Sequence, residues 1–308
     1  MSQSCDFCFR RCCLSEGQKG YCGARQNIGG EIISVNYGQL VSLALDPVEK
    51  KPLYHFLPHT KTLSVSESGC NYSCLFCQNW EISQKIVKEE ETDPSSLAAY
   101  CLRYGVPSVS YTYSEPLVWQ DYMICAAEEA KKTGVRNIMV TNGSFSCEAL
   151  ERIVHLVDAF NVDLKGDDEF YKNICKASLQ PVLDGIEYIV NHGRHIEVTT
   201  MLIEGMHDEK MVRMLGSLLR ERGVKVWHLS RFFPRYRMKD RKETSEAFLS
   251  SMLTVAKESG ISYIYGGNTM IPAVTVCPRC GRVLRDDVPQ MLPSSCPECG
   301  ETVYGVFA

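Results

Sequence analysis

No run of 18 apolar residues occurs in the 308-residue chain, so no helix is expected to cross a membrane. The start, Met1-Ser2-Gln3-Ser4, lacks a basic stretch followed by an apolar one, which predicts no export signal and a reducing, cytoplasmic setting where disulfides do not persist. Positive charge is short as well: 33 Lys and Arg against 37 Asp and Glu leave a net charge of -4, which argues against a nucleic-acid polyanion as the default partner. With 44% hydrophobic and 23% charged residues, the composition is that of a globular chain large enough for one main core plus appendages. Cysteine is what the chain has in excess, 16 in all, and in a reducing setting such an excess reads as metal or catalytic chemistry.

The cysteines fall into three clusters and a remainder. In the run Ser68-Gly69-Cys70-Asn71-Tyr72-Ser73-Cys74-Leu75-Phe76-Cys77-Gln78-Asn79-Trp80, Cys70, Cys74 and Cys77 put three thiolates on one loop. A closed zinc site needs four ligands, but no histidine stands nearby and the next cysteine is Cys101, beyond the break at Pro94. Three thiolates instead suit three irons of a four-iron cluster, whose fourth iron keeps an open position for a substrate or cofactor. Cys101, Cys125, Cys147 and Cys175 stand singly and read as small buried hydrophobes.

At the far end, Cys277-Pro278-Arg279-Cys280-Gly281 and Cys296-Pro297-Glu298-Cys299-Gly300 form two knuckles. Each glycine relieves a crowded turn, and four sulfurs converge on one metal, tetrahedral zinc or rubredoxin-type iron. The N-terminal set offers Cys5, Cys8, Cys12 and Cys22, with Cys13 as a spare or a substitute for Cys12. Zinc and a second iron-sulfur cluster both suit it, with a structural metal favoured; a purely apolar role does not suit five cysteines in so short a segment.

Between these ends, β-branched runs alternate with amphipathic segments, the pattern of parallel strands joined by crossover helices. The sequence predicts strands over 62–66, 108–112, 137–141, 159–163, 195–200, 225–229 and 261–264. Helices are expected from Asp93-Pro94 to Gly105 and over 116–132, 146–156, 179–191, 209–222 and 245–259. Six or seven βα units make an α/β fold with a partial barrel of the (β/α)6 type, short of a complete TIM barrel. Polar motifs fall just after several strands, so one active-site rim is expected. Residues 1–45 and 275–308 do not continue the rhythm and are too short for a core without a staple, which predicts a Cys-rich N-terminal metal-binding module, a barrel over 46–274 and a C-terminal zinc-ribbon or rubredoxin-like module.

A CxxxCxxC loop after the first strand of an incomplete barrel, with Phe76 before the last cysteine, resembles the radical S-adenosylmethionine (SAM) enzymes over about residues 60–270. More narrowly, Asp46-Pro47-Val48-Glu49-Lys50-Lys51-Pro52-Leu53-Tyr54-His55-Phe56, Cys77-Gln78-Asn79-Trp80-Glu81-Ile82-Ser83-Gln84 and Trp227-His228-Leu229-Ser230-Arg231-Phe232-Phe233-Pro234 resemble the AmmeMemoRadiSam-system radical SAM proteins, relatives of the pyruvate formate-lyase activating enzymes. The resemblance implies a [4Fe-4S] cluster on Cys70, Cys74 and Cys77, reductive cleavage of SAM to methionine and a 5'-deoxyadenosyl radical, and hydrogen-atom abstraction from a substrate. It implies that Glu115 accepts the methionine amino group, and that Asp163 and Lys165 match an Asp-x-Lys element whose lysine faces the SAM carboxylate. Thr141 and Asn142 match a Thr-Asn-Gly stretch in which a preceding aspartate assists a cation; here that position is Val140. Phe76 would stack on adenine, and His228, at a strand end, would reach cofactor or substrate.

Lys50, Lys51, His55 and His59 flank the first strand, where a solvated loop is expected over an anion site. The substrate is expected to be a small molecule; the alternatives are an activase installing a glycyl radical on a protein, or a non-catalytic iron-sulfur and zinc protein for electron transfer or binding. The implied partners are an electron donor such as flavodoxin or ferredoxin, and AMMECR1-like and Memo-like proteins.

Overall fold

The computed structural model describes residues 2–286 and 291–307; Met1 of the N-terminal module and residues 287–290 and 308 of the C-terminal one lie outside the described residues. The chain opens with two small antiparallel pairs, β1 (Gln3–Ser4) with β2 (Cys13–Leu14) and β3 (Arg25–Ile28) with β4 (Glu31–Ser34). It then enters an eight-stranded sheet as β5 (Ser42–Pro47), antiparallel to β6 (Lys61–Ser66). The strands β7 (Ser108–Tyr111), β8 (Arg136–Thr141), β9 (Ala159–Asp163), β10 (His195–Leu202), β11 (Val226–Arg231) and β12 (Tyr263–Gly267) follow, all parallel to β6 and each beside its predecessor. Neither β5 nor β12 pairs with the other, so the barrel-like sheet stays open.

Between the strands run α1 (Trp80–Ser83), α2 (Ser95–Tyr104), α3 (Gln120–Lys132), α4 (Cys147–Ile153), α5 (Asp168–Phe170), α6 (Gln180–Asn191), α7 (Glu209–Glu221) and α8 (Glu246–Lys257). Side-chain caps fix their starts: Ser146, Asp208 and Ser245 accept the amides of Ala149, Met211 and Phe248 at 3.1, 2.8 and 3.2 Å. Gly105 ends α2 in the left-handed conformation at φ +64°. The parallel strands are buried on both faces, as crossover helices require, and their side chains form the main core. The final β13 (Thr275–Val276) and β14 (Val283–Arg285) form an antiparallel pair, and Ala273, Leu292 and Val303 pack on Val226, Tyr263 and Tyr265 at the amino ends of β11 and β12.

Two strands of the large sheet depart from the sequence expectation. Strand β5 was not anticipated, and it crosses the expected module border at residues 45 and 46. Its leucines, Leu43 and Leu45, face solvent while Asp46 faces inward, so its apolar periodicity points the wrong way. The last parallel strand begins at Tyr263 rather than 261 and runs through Gly266 and Gly267, which weak strand propensity concealed. A Cβ on Gly267 would stand 3.0 Å from that of Ser230, so the close approach of the two strands requires glycine.

Candidate active site

The carboxyl ends of the parallel strands converge on one cavity of about 320 Å³. Its wall takes Cys70, Cys74, Phe76 and Cys77 from the loop after β6, Glu115 from beyond β7, Thr141 and Asn142 from β8, Asp163 and Lys165 from β9, and Thr199, Met201 and Ser230 from β10 and β11. The structure thus brings together every site residue expected of the barrel except His228.

The cysteine loop is fixed from several sides. Gly69 holds φ +111°, with a Cβ there 3.0 Å from that of Ala24 and 3.2 Å from the Cys22 carbonyl oxygen, so only glycine fits. The amides of Ser73 and Leu75 donate to the carbonyls of Cys175 and Ile174 at 3.2 and 3.0 Å. Gln78 Nε2 donates to the Phe233 carbonyl and Asn79 Nδ2 to that of Tyr113, each at 2.8 Å, which explains the Cys-Gln-Asn-Trp string. Cys70 Sγ accepts the Tyr72 amide at 3.4 Å and lies 3.9 Å from Asn142 Nδ2. Burial pushes the Cys70 and Cys77 thiols up; for Cys74, contact with the Cys175 thiol and then burial do so. Three sulfurs on one loop at the cavity wall therefore suit a cluster, whose metal charge deprotonates a coordinating thiol.

Glu115 accepts the amides of Leu117 (3.1 Å) and Asn142 (2.8 Å) and the Thr141 hydroxyl (2.7 Å). It caps the turn Pro116–Trp119 and also faces the cavity, so the two roles coexist. Burial outweighs these donors and pushes its carboxyl up to about 7. Lys165 Nζ lies 2.7 Å from Asp163 Oδ2 and 5.8 Å from the Phe76 ring centre. Burial alone would lower the Lys165 ammonium, but Asp163 holds it charged, well above its ordinary value. Phe76 packs on Phe170 at 5.9 Å and keeps one side to the cavity. Gly143, at φ +75°, would place a Cβ 2.6 Å from Val162 Cγ1, so the Thr-Asn-Gly turn requires its glycine.

His228 sits one layer deeper, two residues before Ser230 on the same face of β11. Its Nε2 lies 2.7 Å from Glu197 Oε2, and His195 Nε2 lies 3.0 Å from Glu197 Oε1. The amides of Tyr54 and His55 complete the carboxylate at 3.0 and 2.8 Å. Burial would raise Glu197, but His195 and His228 hold it below the usual carboxylate range. His228 is therefore a buried partner of Glu197 beneath the cavity, at a depth set by its position along β11 and the register with β10.

Lys51 also departs from expectation, since it is buried and lines the cavity together with Lys50. Asp46 accepts both ammonium groups at 2.8 Å, the Ser64 hydroxyl at 2.8 Å and the Tyr113 hydroxyl. Tyr113 holds φ +67°, a conformation costly for an aromatic residue. His55 is buried against Tyr265 and the Tyr304 carbonyl, and His59 lies exposed on its loop, so neither reaches the cavity. Sequence reasoning missed His207, which accepts the Ile203 amide at 3.1 Å and bonds the Lys165 carbonyl at 2.9 Å, fixing the turn that carries Lys165.

At the C-terminus the four sulfurs of Cys277, Cys280, Cys296 and Cys299 converge, with Cys277 to Cys299 and Cys280 to Cys296 each at 3.6 Å. Metal-sulfur bonds of about 2.3 Å in a tetrahedron place sulfurs about 3.8 Å apart, so this site fits one ion. Zinc and iron meet that geometry equally.

The sequence pattern of the Radical SAM superfamily matches residues 66–218, the segment carrying the cysteine loop, Glu115, Asp163 and Lys165. The uncharacterized protein MJ0808 of Methanocaldococcus jannaschii is 39% identical over 290 residues, covering 91% of this chain and 86% of that one. A GTP 3',8-cyclase of Campylobacter lari is 26% identical over 160 residues, 47% of this chain and 48% of its own length. In structure, SuiB of Streptococcus suis, solved bound to S-adenosylmethionine, superposes with a TM-score of 0.55 at 11% identity, over 71% of this chain and 52% of SuiB. This chain spans about half the length of the cyclase and of SuiB, and the SuiB likeness speaks for the fold alone. The chain belongs to the radical SAM superfamily, and membership implies SAM and a [4Fe-4S] cluster. Among the described residues, no helix is long and apolar enough to cross a membrane.

Proposed function

We propose that this protein is an enzyme that cleaves SAM at a cluster held by Cys70, Cys74 and Cys77 and uses the resulting radical on a small molecule bound in the same cavity. The observation that carries the reading is the shared wall: three sulfurs, the Glu115 and Asp163 carboxylates, the Lys165 ammonium with those of Lys50 and Lys51, and the Phe76 ring line a single space of about 320 Å³, within the range of small-ligand pockets. Bound there, a reduced cluster and SAM would supply a 5'-deoxyadenosyl radical. Glu115 has an acceptor position left for the methionine ammonium, and Lys165, tethered by Asp163, offers a positive charge to the methionine carboxylate. Phe76 offers a ring face to adenine, and Asn142 orders the turn between Cys70 and Glu115. An electron donor of the flavodoxin or ferredoxin kind would keep the cluster reduced.

The test is anaerobic reconstitution, reduction with dithionite and addition of SAM. 5'-Deoxyadenosine should form with the wild-type chain and be lost, together with the cluster, in Cys74→Ala. A fully loaded, reduced wild-type cluster that yields none would overturn the proposal.

A further inference from the structure

We propose that Lys50 and Lys51 form an anion site at the inner end of the cavity, and that the molecule the radical attacks carries a carboxylate or phosphate group held by them. The identity of that anion as the radical's target rests on the function proposed above; the anion site itself does not.

The turn that carries the two lysines is tied to the barrel on both sides. The Val48 amide donates to the Thr60 carbonyl at 3.0 Å, Asn161 Nδ2 donates to the Pro52 carbonyl at 2.9 Å, and the amides of Tyr54 and His55 end on buried Glu197. Asp46, which binds both ammonium groups, also accepts the hydroxyl of Ser64, two residues before β6 ends at Ser66. At about 3.3 Å per residue this cluster lies about 7 Å beneath the carboxyl end of β6, whereas the cysteine loop begins beyond that end. The lysines and the sulfurs therefore line one space from opposite ends.

Charge at the inner end is unbalanced. Burial would raise the Asp46 carboxyl, but Lys50, Lys51, Tyr113 and Ser64 hold it below the usual carboxylate range, so one carboxylate faces two ammonium groups. Among the described residues, the other carboxylates on the wall are Glu115 and Asp163, carried at or past the ends of β7 and β9, and Asp163 already answers Lys165. The barrel residues Thr112, Thr199, Met201 and Ser230 are uncharged, so one positive charge is left for a ligand.

Lys51 concentrates that surplus. Its side chain is 2% exposed, and of its three ammonium hydrogens one meets an acceptor, Asp46. Burial lowers this ammonium from its ordinary value and Asp46 offsets the effect only in part, so a second anion beside it would hold the charge in place. Tyr113 enforces the arrangement: it donates its hydroxyl to Asp46 and sets its ring 4.3 Å from Lys51 Nζ while holding φ +67°. Backbone strain of this kind collects at ligand clamps. An ammonium is a point charge rather than a planar fork, so carboxylate and phosphate both suit it.

The test titrates inorganic phosphate and acetate separately into the reconstituted full chain by calorimetry, first without SAM. One of them should bind at a single site per chain in the millimolar range, and the tighter of the two names the group. Lys51→Met should weaken that anion at least about tenfold and exposed Lys50→Met about threefold, whereas Lys132→Met, on the surface of α3, should change nothing. Thermal unfolding is recorded for each variant, and Lys50→Met decides if Lys51→Met folds poorly. Neither anion saturating a site, or affinities unchanged in the folded Lys50 and Lys51 variants, overturns the proposal. Saturating SAM should leave the anion's Kd within about twofold, because the two ligands occupy different ends. Displacement by SAM would give the lysines to SAM's own carboxylate and overturn the substrate assignment. A chain that binds the anion in this way yet yields no 5'-deoxyadenosine would instead sink the function proposed above and leave the anion site standing.

Discussion

Replacing Glu115 by glutamine should weaken SAM binding in a pH-dependent way. Two carboxylate oxygens offer about four acceptor positions, and Leu117, Thr141 and Asn142 occupy three, so one remains for an ammonium. Burial pushes the carboxyl up to about 7, so in the ligand-free site its ionised fraction rises about tenfold between pH 6 and pH 8. A hydrogen bond to a charged group contributes about 1.5–3 kcal/mol, so Glu115→Gln should raise the SAM Kd roughly 10- to 150-fold at pH 8. At pH 6 the wild-type carboxyl is mostly neutral and the two proteins should differ about tenfold less. The ratio of the two Kd values, measured by calorimetry on reconstituted protein, cancels the titration of SAM itself. The glutamine NH2 will face one backbone donor, Leu117 or Asn142, at a cost of about 1–2 kcal/mol, so thermal unfolding is recorded alongside. A ratio that does not change between pH 6 and pH 8, or an effect below about twofold at pH 8, would refute the assignment of Glu115 to the ammonium.

His228→Ala should lower stability by about 2–3 kcal/mol, because it leaves buried Glu197 short of one donor, while SAM affinity stays within about twofold. Urea unfolding checks the first part; a lost SAM site in a stable variant would return His228 to the cavity. Glu67 is buried with one oxygen bonded to the Gly38 amide and the other unpartnered, and burial pushes its carboxyl up to about 8. The folded state thus holds a proton that the unfolded state releases near 4.5, so stability falls as pH rises from about 4.5 to 8, by a few kcal/mol. Glu67→Gln should flatten that slope in denaturant titrations across this window, and a slope left unchanged would rule the residue out. Cys280→Ser should release one zinc or iron per chain and lower the melting temperature, since an ion on the four sulfurs would staple the segment that packs on the amino ends of β11 and β12. Elemental analysis identifies the metal, and an undiminished metal content would contradict the four-sulfur site.

Local chemistry made much of this molecule legible in its sequence. Caps at Ser146, Asp208 and Ser245, and glycines such as Gly105, mark helix ends through bonds made within a few residues, so the order of the parallel strands and helices was legible while several ends shifted by two to four residues. The three cysteines and the residues just past the strand ends share a rim because parallel topology leaves them no other place. Depth along a strand was not legible: His228 and Ser230 share a face, and only the register of β10 and β11 puts one against Glu197 and the other on the cavity. The same holds for Lys51, which reads as a solvated lysine until the fold of β5 brings Asp46 and Tyr113 around it.

The chain's own sequence determined the alternation that builds the barrel and the four-sulfur cluster near its end, since each Cys-Pro-x-Cys-Gly knuckle is a local turn. Tertiary structure alone decided that the knuckle sulfurs stand 3.6 Å apart, that His228 meets Glu197, and that Asn142 bonds Asn71 beside Cys70. Those relations join residues tens of positions apart, and no local propensity carries a distance set by how separate elements pack.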